Sequence, residues 1–275
     1  MAKKRKKDLV RLGQDEHYVD ADLYEHEYKR RREDVNYYVA MASGELSPGS
    51  EILDLCCGSG RVTRALLRAG FHVEGLDASK PMLERARLGI SRLPKRFRDN
   101  ANLVHGDMKD FDYGRTFPLI VCTFNSFEHL YSRQDVEAAL GCIKKHLEPD
   151  GVFAFDVQMP DLAWLMKDPD KRWARTKFRH PVTKQRLAYS TNHVYDPVRQ
   201  IAFIRLYYDP LEDGPLKDTA VVNLSQRKFY PAELAALLHY NGFAVIRHRG
   251  DFAGDYLDDY AESQVLLCRH ARDSD

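Results

Sequence analysis

The sequence predicts an α/β protein: a mostly parallel sheet with helices on both faces, interrupted late in the chain by an antiparallel β insert. Three observations carry that class. Short apolar runs alternate with helix-length patterns from Ile52 to Phe155, which is how β-α-β units read in sequence. The first run, E-I-L-D-L-C at 51–56, feeds a G-S-G loop, a shape suited to holding a nucleotide at a helix start. After Pro160 the texture changes to β-branched and aromatic residues alternating with polar ones around an Asp-Pro turn, the pattern of an antiparallel hairpin.

Taken in order, five core strands are expected at 52–56, 72–76, 102–105, 119–124 and 152–157. Between them, a helix from Arg61 closes on Gly70, a second starts behind Ser79 with Pro81 in its first turn, and a third runs from Gln134 to His146. The stretches Q-R-L-A-Y-S-T-N-H-V-Y and Q-I-A-F-I-R-L-Y-Y form the insert's hairpin, with V-V-N-L-S-Q-R-K-F-Y as a third strand. Pro231 to Tyr240 reads as a helix stopped at Asn241-Gly242, followed by two more core strands, F-A-V-I-R-H and Q-V-L-L-C-R. The expected organisation is a basic flexible tail over 1–17, a core over 18–160 and 230–275, and an insert over 161–229.

Composition narrows the function classes. At 275 residues and 44% hydrophobic content the chain can bury a full core. Its 42 Lys+Arg against 41 Asp+Glu leave a net charge of +1, so no whole-molecule field draws it to nucleic acid or an anionic membrane. No stretch of about 18 apolar residues occurs. The five cysteines, two of them adjacent, read as reduced thiols of a cytoplasmic protein, and none has zinc-ligand spacing, so no metal is expected.

The loop itself is ambiguous, because Gly58 and Gly60 are present but Thr63 stands where a dinucleotide fingerprint needs a third glycine. Its neighbours decide. Asp54 sits inside an apolar strand, where a carboxylate is costly unless bonded, so it is expected to orient the loop or hold an ammonium group. Asp77 ends the second strand, where an acid can accept from both ribose hydroxyls. Asp107 ends the third beside Met108, an acceptor for an amino group next to a polarisable thioether. Any one of these acids could also be an ordinary turn or helix cap.

Three acids at three successive strand ends, with G-S-G between the first two, resemble the class I S-adenosylmethionine-dependent methyltransferases. The resemblance spans about residues 18 to 270 and implies a Rossmann-like, seven-stranded sheet with S-adenosylmethionine across the strand ends. By position it implies Asp54, Gly58 and Gly60 at the methionine part of the cofactor, Asp77 at the ribose and Asp107 with Met108 at the adenine, with Ala78, Met82 and Asn125 completing the cofactor set.

The segments D-L-Y-E (22–25), H-G-D-M-K-D-F (105–111), F-N-S-F-E-H-L (124–130) and R-K-F-Y-P-A-E-L (227–234) are similar to the bacterial amino-sugar N-methyltransferases within that family. That similarity implies that Tyr24 closes over the cofactor and His129 faces the methyl group. Glu128 departs from it, since those enzymes usually carry a small residue there. The fourth strand leads into N-S-F-E and not into the proline-rich motif of many base-amine methylators, and no Asp follows it at Cys122 or Thr123, where a catechol-type magnesium site would want a hard oxygen ligand.

The expected activity is therefore methyl transfer to a nitrogen or oxygen of a small-molecule acceptor. His129 is the candidate general base, because imidazole titrates near neutral pH. Tyr195, Tyr207, Tyr208, Trp164 and Trp173 of the insert read either as acceptor-pocket walls or as the insert's own core, making it a lid or a dimer contact. The alternatives are an RNA-modifying methyltransferase, on the basic stretches Lys3–Lys7, Lys29–Arg32 and 92–98, and a non-catalytic adenosyl-binding regulator.

Overall fold

A computed structural model describes the backbone of residues 2–272 and the side chains from residue 9 onward. The chain divides into two compact units. The core unit takes Lys29–Met159 and the residues from Phe229 on, and the insert unit takes the residues up to Tyr28 with Pro160–Lys228. The strands, in chain order, are β1 (Glu51–Leu55), β2 (His72–Asp77), β3 (Ala101–His105), β4 (Phe117–Cys122) and β5 (Leu147–Gln158) in the core. Then follow β6 (Trp173–Arg179), β7 (Arg186–Asp196), β8 (Ile201–Pro210) and β9 (Ala220–Arg227) in the insert, and β10 (Phe243–Arg249) and β11 (Ser263–His270) back in the core.

The core sheet has seven strands in the order β10-β11-β5-β4-β1-β2-β3. β1 runs parallel to both β2 and β4, β2 to β3 and β4 to β5, while β11 is antiparallel to both of its neighbours. Alternation along each strand fills two layers. Ile52, Leu119, Val121 and Ala154 meet Tyr38, Leu66 and Leu67 on one face. Leu53, Ile120, Phe153 and Phe155 meet Val136, Leu140 and Leu234 on the other. Because both faces are covered, the strands read as near-continuous apolar runs. The order reverses between β1 and β4, and the crevice outside the carboxyl ends at such a reversal is where open α/β sheets take ligands.

Local signals set the helix starts. Ser79 accepts from the Met82 amide at the start of Lys80–Ser91, and Ser132 with Asp135 closes a capping box on Arg133–His146. β4 stops at Cys122, two residues before the expected end, because Phe124 and Asn125 turn left-handed with φ of 59° and 61°.

The insert unit is a four-stranded antiparallel sheet in the order β6-β7-β8-β9, one strand more than expected. β6 escaped the sequence reading because its register slips between Trp173 and Thr176, where Ala174 takes φ 53°. The segment over 1–17, expected as a flexible tail, is helical over Ala2–Asp15. The Ser225 hydroxyl of β9 donates to the Leu9 carbonyl, and Gly13 abuts Ser225 so closely that a Cβ there would lie 2.1 Å from its Oγ. The expected core boundary at residue 18 thus falls between Tyr28 and Lys29. The side chains of Lys3–Lys7 lie outside the described ones. Among the described residues no helix is long and apolar enough to cross a membrane.

Candidate active site

The loop after β1 is held by its neighbour strand. The Cys57 amide donates to the Leu76 carbonyl at 3.0 Å, and the Gly58 amide donates to Asp77 Oδ2 at 2.8 Å. Gly58 and Gly60 take φ of 55° and 76°, and a Cβ on either would press on Met82 Cε at 3.3 Å or Ala86 Cβ at 3.1 Å. Glycine is therefore required twice over, for backbone conformation and for the close seat of Lys80–Ser91 beneath the loop.

Asp77 bridges the site. Its Oδ2 takes the Gly58 amide and its Oδ1 the Ser79 amide at 2.7 Å, so one buried carboxylate ties the glycine loop to the next helix start. Burial raises its pKa, against the pull of those two amides. Each oxygen keeps a second lone pair, which is what a ribose diol would need.

Asp54 is fully buried, and its Oδ2 accepts from the Thr63 hydroxyl at 2.6 Å. That bond accounts for the threonine at the third-glycine position. Its other oxygen, Oδ1, is buried and accepts from nothing. Desolvation pushes the pKa up to about 7, opposed by the Thr63 bond. A buried acceptor left unmatched at the foot of a ligand loop marks a place for a cationic or strongly donating group.

At the end of β3, Met108 is buried with Cys56 Sγ 3.7 Å from its sulfur. Asp107 lies in an exposed turn, its Oδ1 accepting from the Lys109 amide at 2.9 Å and its Oδ2 3.5 Å from Lys109 Nζ. Ala78 is exposed, with His105 Nε2 donating to its carbonyl at 3.0 Å.

The turn after β4 supplies the facing wall. Phe124 and Asn125 donate their amides to the two oxygens of Asp156 at 2.9 Å each, and the Tyr38 hydroxyl adds a third bond at 2.7 Å. Asp156 is buried on β5, and burial lifts its pKa to about 6 despite these donors. Sequence reading missed this residue although its signal matches that of Asp54, an acid inside an apolar run. Arg61, at the start of Arg61–Arg68, pairs with Asp34 and lies 4.4 Å from the centre of the Phe124 ring, linking the glycine loop to this turn.

The turn continues as Ser126–His129. Glu128 is fully buried, and its Oε1 accepts from the Gln158 amide at 2.9 Å. His129 is half-buried, with Nδ1 2.9 Å from the Tyr131 hydroxyl. Every predicted site residue but one thus lies in the core unit, at or just beyond the strand ends. Tyr24 belongs to the insert unit, where its ring meets His17 at 5.3 Å and Tyr28 at 4.8 Å. A separate groove of about 400 Å³ between Arg87, Ser91, Arg98 and Asn102 lies along β3 and the helix before it, not at the strand ends.

Residues 52–151 match the family model described as a methyltransferase domain. The chain is 33% identical over 171 residues to the dTDP-3-amino-3,4,6-trideoxy-alpha-D-glucopyranose N,N-dimethyltransferase of Streptomyces venezuelae, a match spanning 58% of this chain and 67% of that protein. It is 40% identical over 103 residues to the dTDP-3-amino-3,6-dideoxy-alpha-D-glucopyranose N,N-dimethyltransferase of Streptomyces fradiae, spanning 38% of this chain and only 37% of that one. The fold is shared with the solved CcbJ methyltransferase of Streptomyces caelestis at a TM-score of 0.74 and 20% identity, covering 93% of this chain and 99% of that one.

Proposed function

The chain belongs to the S-adenosylmethionine-dependent methyltransferase family, and from that premise we propose that it methylates an amine nitrogen of a small, sugar-like acceptor. The observation that carries the cofactor part is the unmatched Asp54 oxygen beneath the glycine loop. The residues present fit S-adenosylmethionine: Asp54 for its ammonium, Gly58 and Gly60 for close backbone approach, Asp77 for the ribose hydroxyls, and Met82 and Met108 as apolar walls. Asp107 and Ala78, on the exposed rim, and Asn125, in the Asp156-held turn, complete the set.

Bound there, the cofactor supplies a methyl group on a sulfonium, whose transfer neutralises charge. The chain's own task is to align the acceptor near 3 Å from that carbon and to exclude water. An acceptor arriving as an ammonium must lose a proton first. His129 is the base in this reading, with the Tyr131 hydroxyl at Nδ1 fixing its ring. The nitrogen is preferred to oxygen because both relatives reported above are named N,N-dimethyltransferases.

The test is incubation with methyl-labelled S-adenosylmethionine and paired acceptors, nucleotide-linked amino sugars and their hydroxyl counterparts, read by mass spectrometry. One or two added methyl groups on the amine alone are expected. Label appearing only in tRNA would replace this reading with the RNA one. In the same assay His129→Ala should lower turnover about 10²–10⁴-fold while leaving S-adenosylhomocysteine affinity intact. Wild-type turnover with an unchanged pH profile would make His129 a structural residue.

A further inference from the structure

Within the core unit, the turn after β4 is fastened to β5 at both of its ends, and the two fastenings run in opposite directions. At the front an acid of the strand takes amides of the turn: Asp156 accepts from Phe124 and Asn125 at 2.9 Å each. At the back an acid of the turn takes an amide of the strand: Glu128 Oε1 accepts from the Gln158 amide at 2.9 Å. The second bond has a local cause. The ladder between β4 and β5 ends at Cys122 and Phe155, whereas β5 runs on to Gln158. The Gln158 amide thus lies past that ladder, and the buried carboxylate of the turn gives it an acceptor. Between the two fastenings Phe127 is fully buried, its ring centre 4.7 Å from that of Phe155 and 5.5 Å from that of Phe229. A packed ring fixes a point and lets the segment pivot about it; bonds on either side stop the pivot. Inside the turn, the Glu128 amide donates to the Asn125 carbonyl at 3.0 Å and the Leu130 amide to the Phe127 carbonyl at 3.1 Å. The segment therefore moves as one piece, and a shift at Glu128 is passed to His129.

We propose that Glu128 is a positioning residue for proton removal from the acceptor: it holds the back of the turn, and with it His129, while Asp156 holds the front, and with it Asn125. The division follows the order of the chain. Asn125 is tied to Asp156 by its own amide. His129 follows Glu128 directly, and the Tyr131 hydroxyl, 2.9 Å from Nδ1, orients its ring from the other side. A base must stand within hydrogen-bond reach of the proton it takes, and a misplacement of about 1 Å can cost on the order of 10²-fold in rate. Burying a carboxylate is costly, so a side chain needed only to fill that space would be apolar. Glu128 is fully buried all the same, with an oxygen on the end of β5.

The inference rests on the reading of His129 as the base, and its test keeps the two apart. Glu128→Met keeps the length of the side chain and removes its oxygens. With an amino-sugar acceptor from the assay above, it should lower kcat about 10–100-fold, with acceptor KM and S-adenosylhomocysteine affinity within a few-fold of wild type. Glu128→Gln keeps an oxygen for the Gln158 amide and should recover most of that loss. Glu128→Asp, one methylene shorter, should fall between them and stands in if the methionine variant does not fold. Combined with His129→Ala, Glu128→Met should cost almost nothing more, because a residue that acts through another is silent once that other is gone. Independently of turnover, the His129 ring is followed by NMR in full-length protein carrying ¹⁵N-labelled histidine, its signals being those missing from His129→Ala. They should shift in Glu128→Met and return to the wild-type position in Glu128→Gln. Unchanged ring signals in Glu128→Met, a glutamine variant as slow as the methionine one, a loss that adds in full to that of His129→Ala, or cofactor affinity that falls as far as kcat each overturns the proposal. If the wild type methylates no amine, or His129→Ala turns over like the wild type, the reading beneath falls and the ring signals alone decide whether Glu128 places His129.

Discussion

Asp54 and Asp156 are both carboxylates inside apolar strands, yet their surroundings assign them different work. Asp156 receives three donors and spends them holding the Phe124–Asn125 turn. Asp54 receives one and keeps a buried oxygen unmatched. The difference can be measured through pH. Asp54 rises from 3.8 to about 7 on folding, so between those values the folded chain holds a proton that the unfolded chain has released. Its stabilising contribution is complete below the unfolded value and is lost as pH rises through the folded one, at a rate approaching about 1.4 kcal/mol per pH unit. Asp54→Asn, which cannot titrate, should therefore gain stability relative to the wild type in urea denaturation between about pH 4.5 and 7.5. S-adenosylmethionine should narrow the gap at the upper end by giving the ionised Asp54 a partner. Parallel stability curves for the two proteins across that range would show that Asp54 is not a strained acid and would weaken its assignment to the cofactor.

At the level of elements, β9 is one of the two edges of the insert sheet, and edges with open amides invite unwanted pairing. Here Glu16 closes one such position, its Oε2 accepting both the backbone amide of Asn223 at 2.8 Å and its side-chain amide at 2.7 Å. Hydrogen bonds to a charged group contribute about 1.5–3 kcal/mol, so Glu16→Ala should speed exchange of the Asn223 amide by roughly 10–150-fold while core amides of β1 and β4 keep their protection. Exchange at Asn223 equal to wild type would show the edge guarded by other means. This guard was invisible in the sequence, where Glu16 looked like part of a solvated tail, because its partner lies more than two hundred positions away and nothing local announces it. The glycine loop and the acids at 54 and 77 were legible for the opposite reason: their chemistry conflicts with an apolar strand or demands a positive φ, and such conflicts show in a single short stretch. Asp156 had that same signal. β6 did not, because a charged, bulged edge strand has no alternation to read.

On the scale of the whole molecule, each unit has its own apolar core, and the chain crosses between them at Tyr28–Lys29, Met159–Pro160 and Lys228–Phe229. The core side of the second and third crossings is anchored: the Met159 amide donates to the Glu262 carbonyl at 3.0 Å, and Gln264 Nε2 donates to the Phe229 carbonyl at 2.7 Å. A chain of residues 29–159 joined by a flexible linker to 229–275 thus retains both layers of the seven-stranded sheet and the loop, acids and turn described at its strand ends. The helix Ala2–Asp15 has to be removed with the insert, since its partner is β9 and cutting 160–228 alone would strip the surface it covers. We expect the joined chain to unfold cooperatively, to bind S-adenosylhomocysteine within a few-fold of the full-length affinity and to have no methyl-transfer activity. Calorimetric titration of the joined chain beside full-length Tyr24→Phe and Tyr24→Ala separates the possible failures. A folded core that binds the cofactor weakly, matched by an equal loss in Tyr24→Ala, would place one tyrosine of the insert unit in the cofactor site. Weak binding by the folded core with both Tyr24 variants at wild-type affinity would overturn the division of labour itself, leaving cofactor binding as a property of the whole chain.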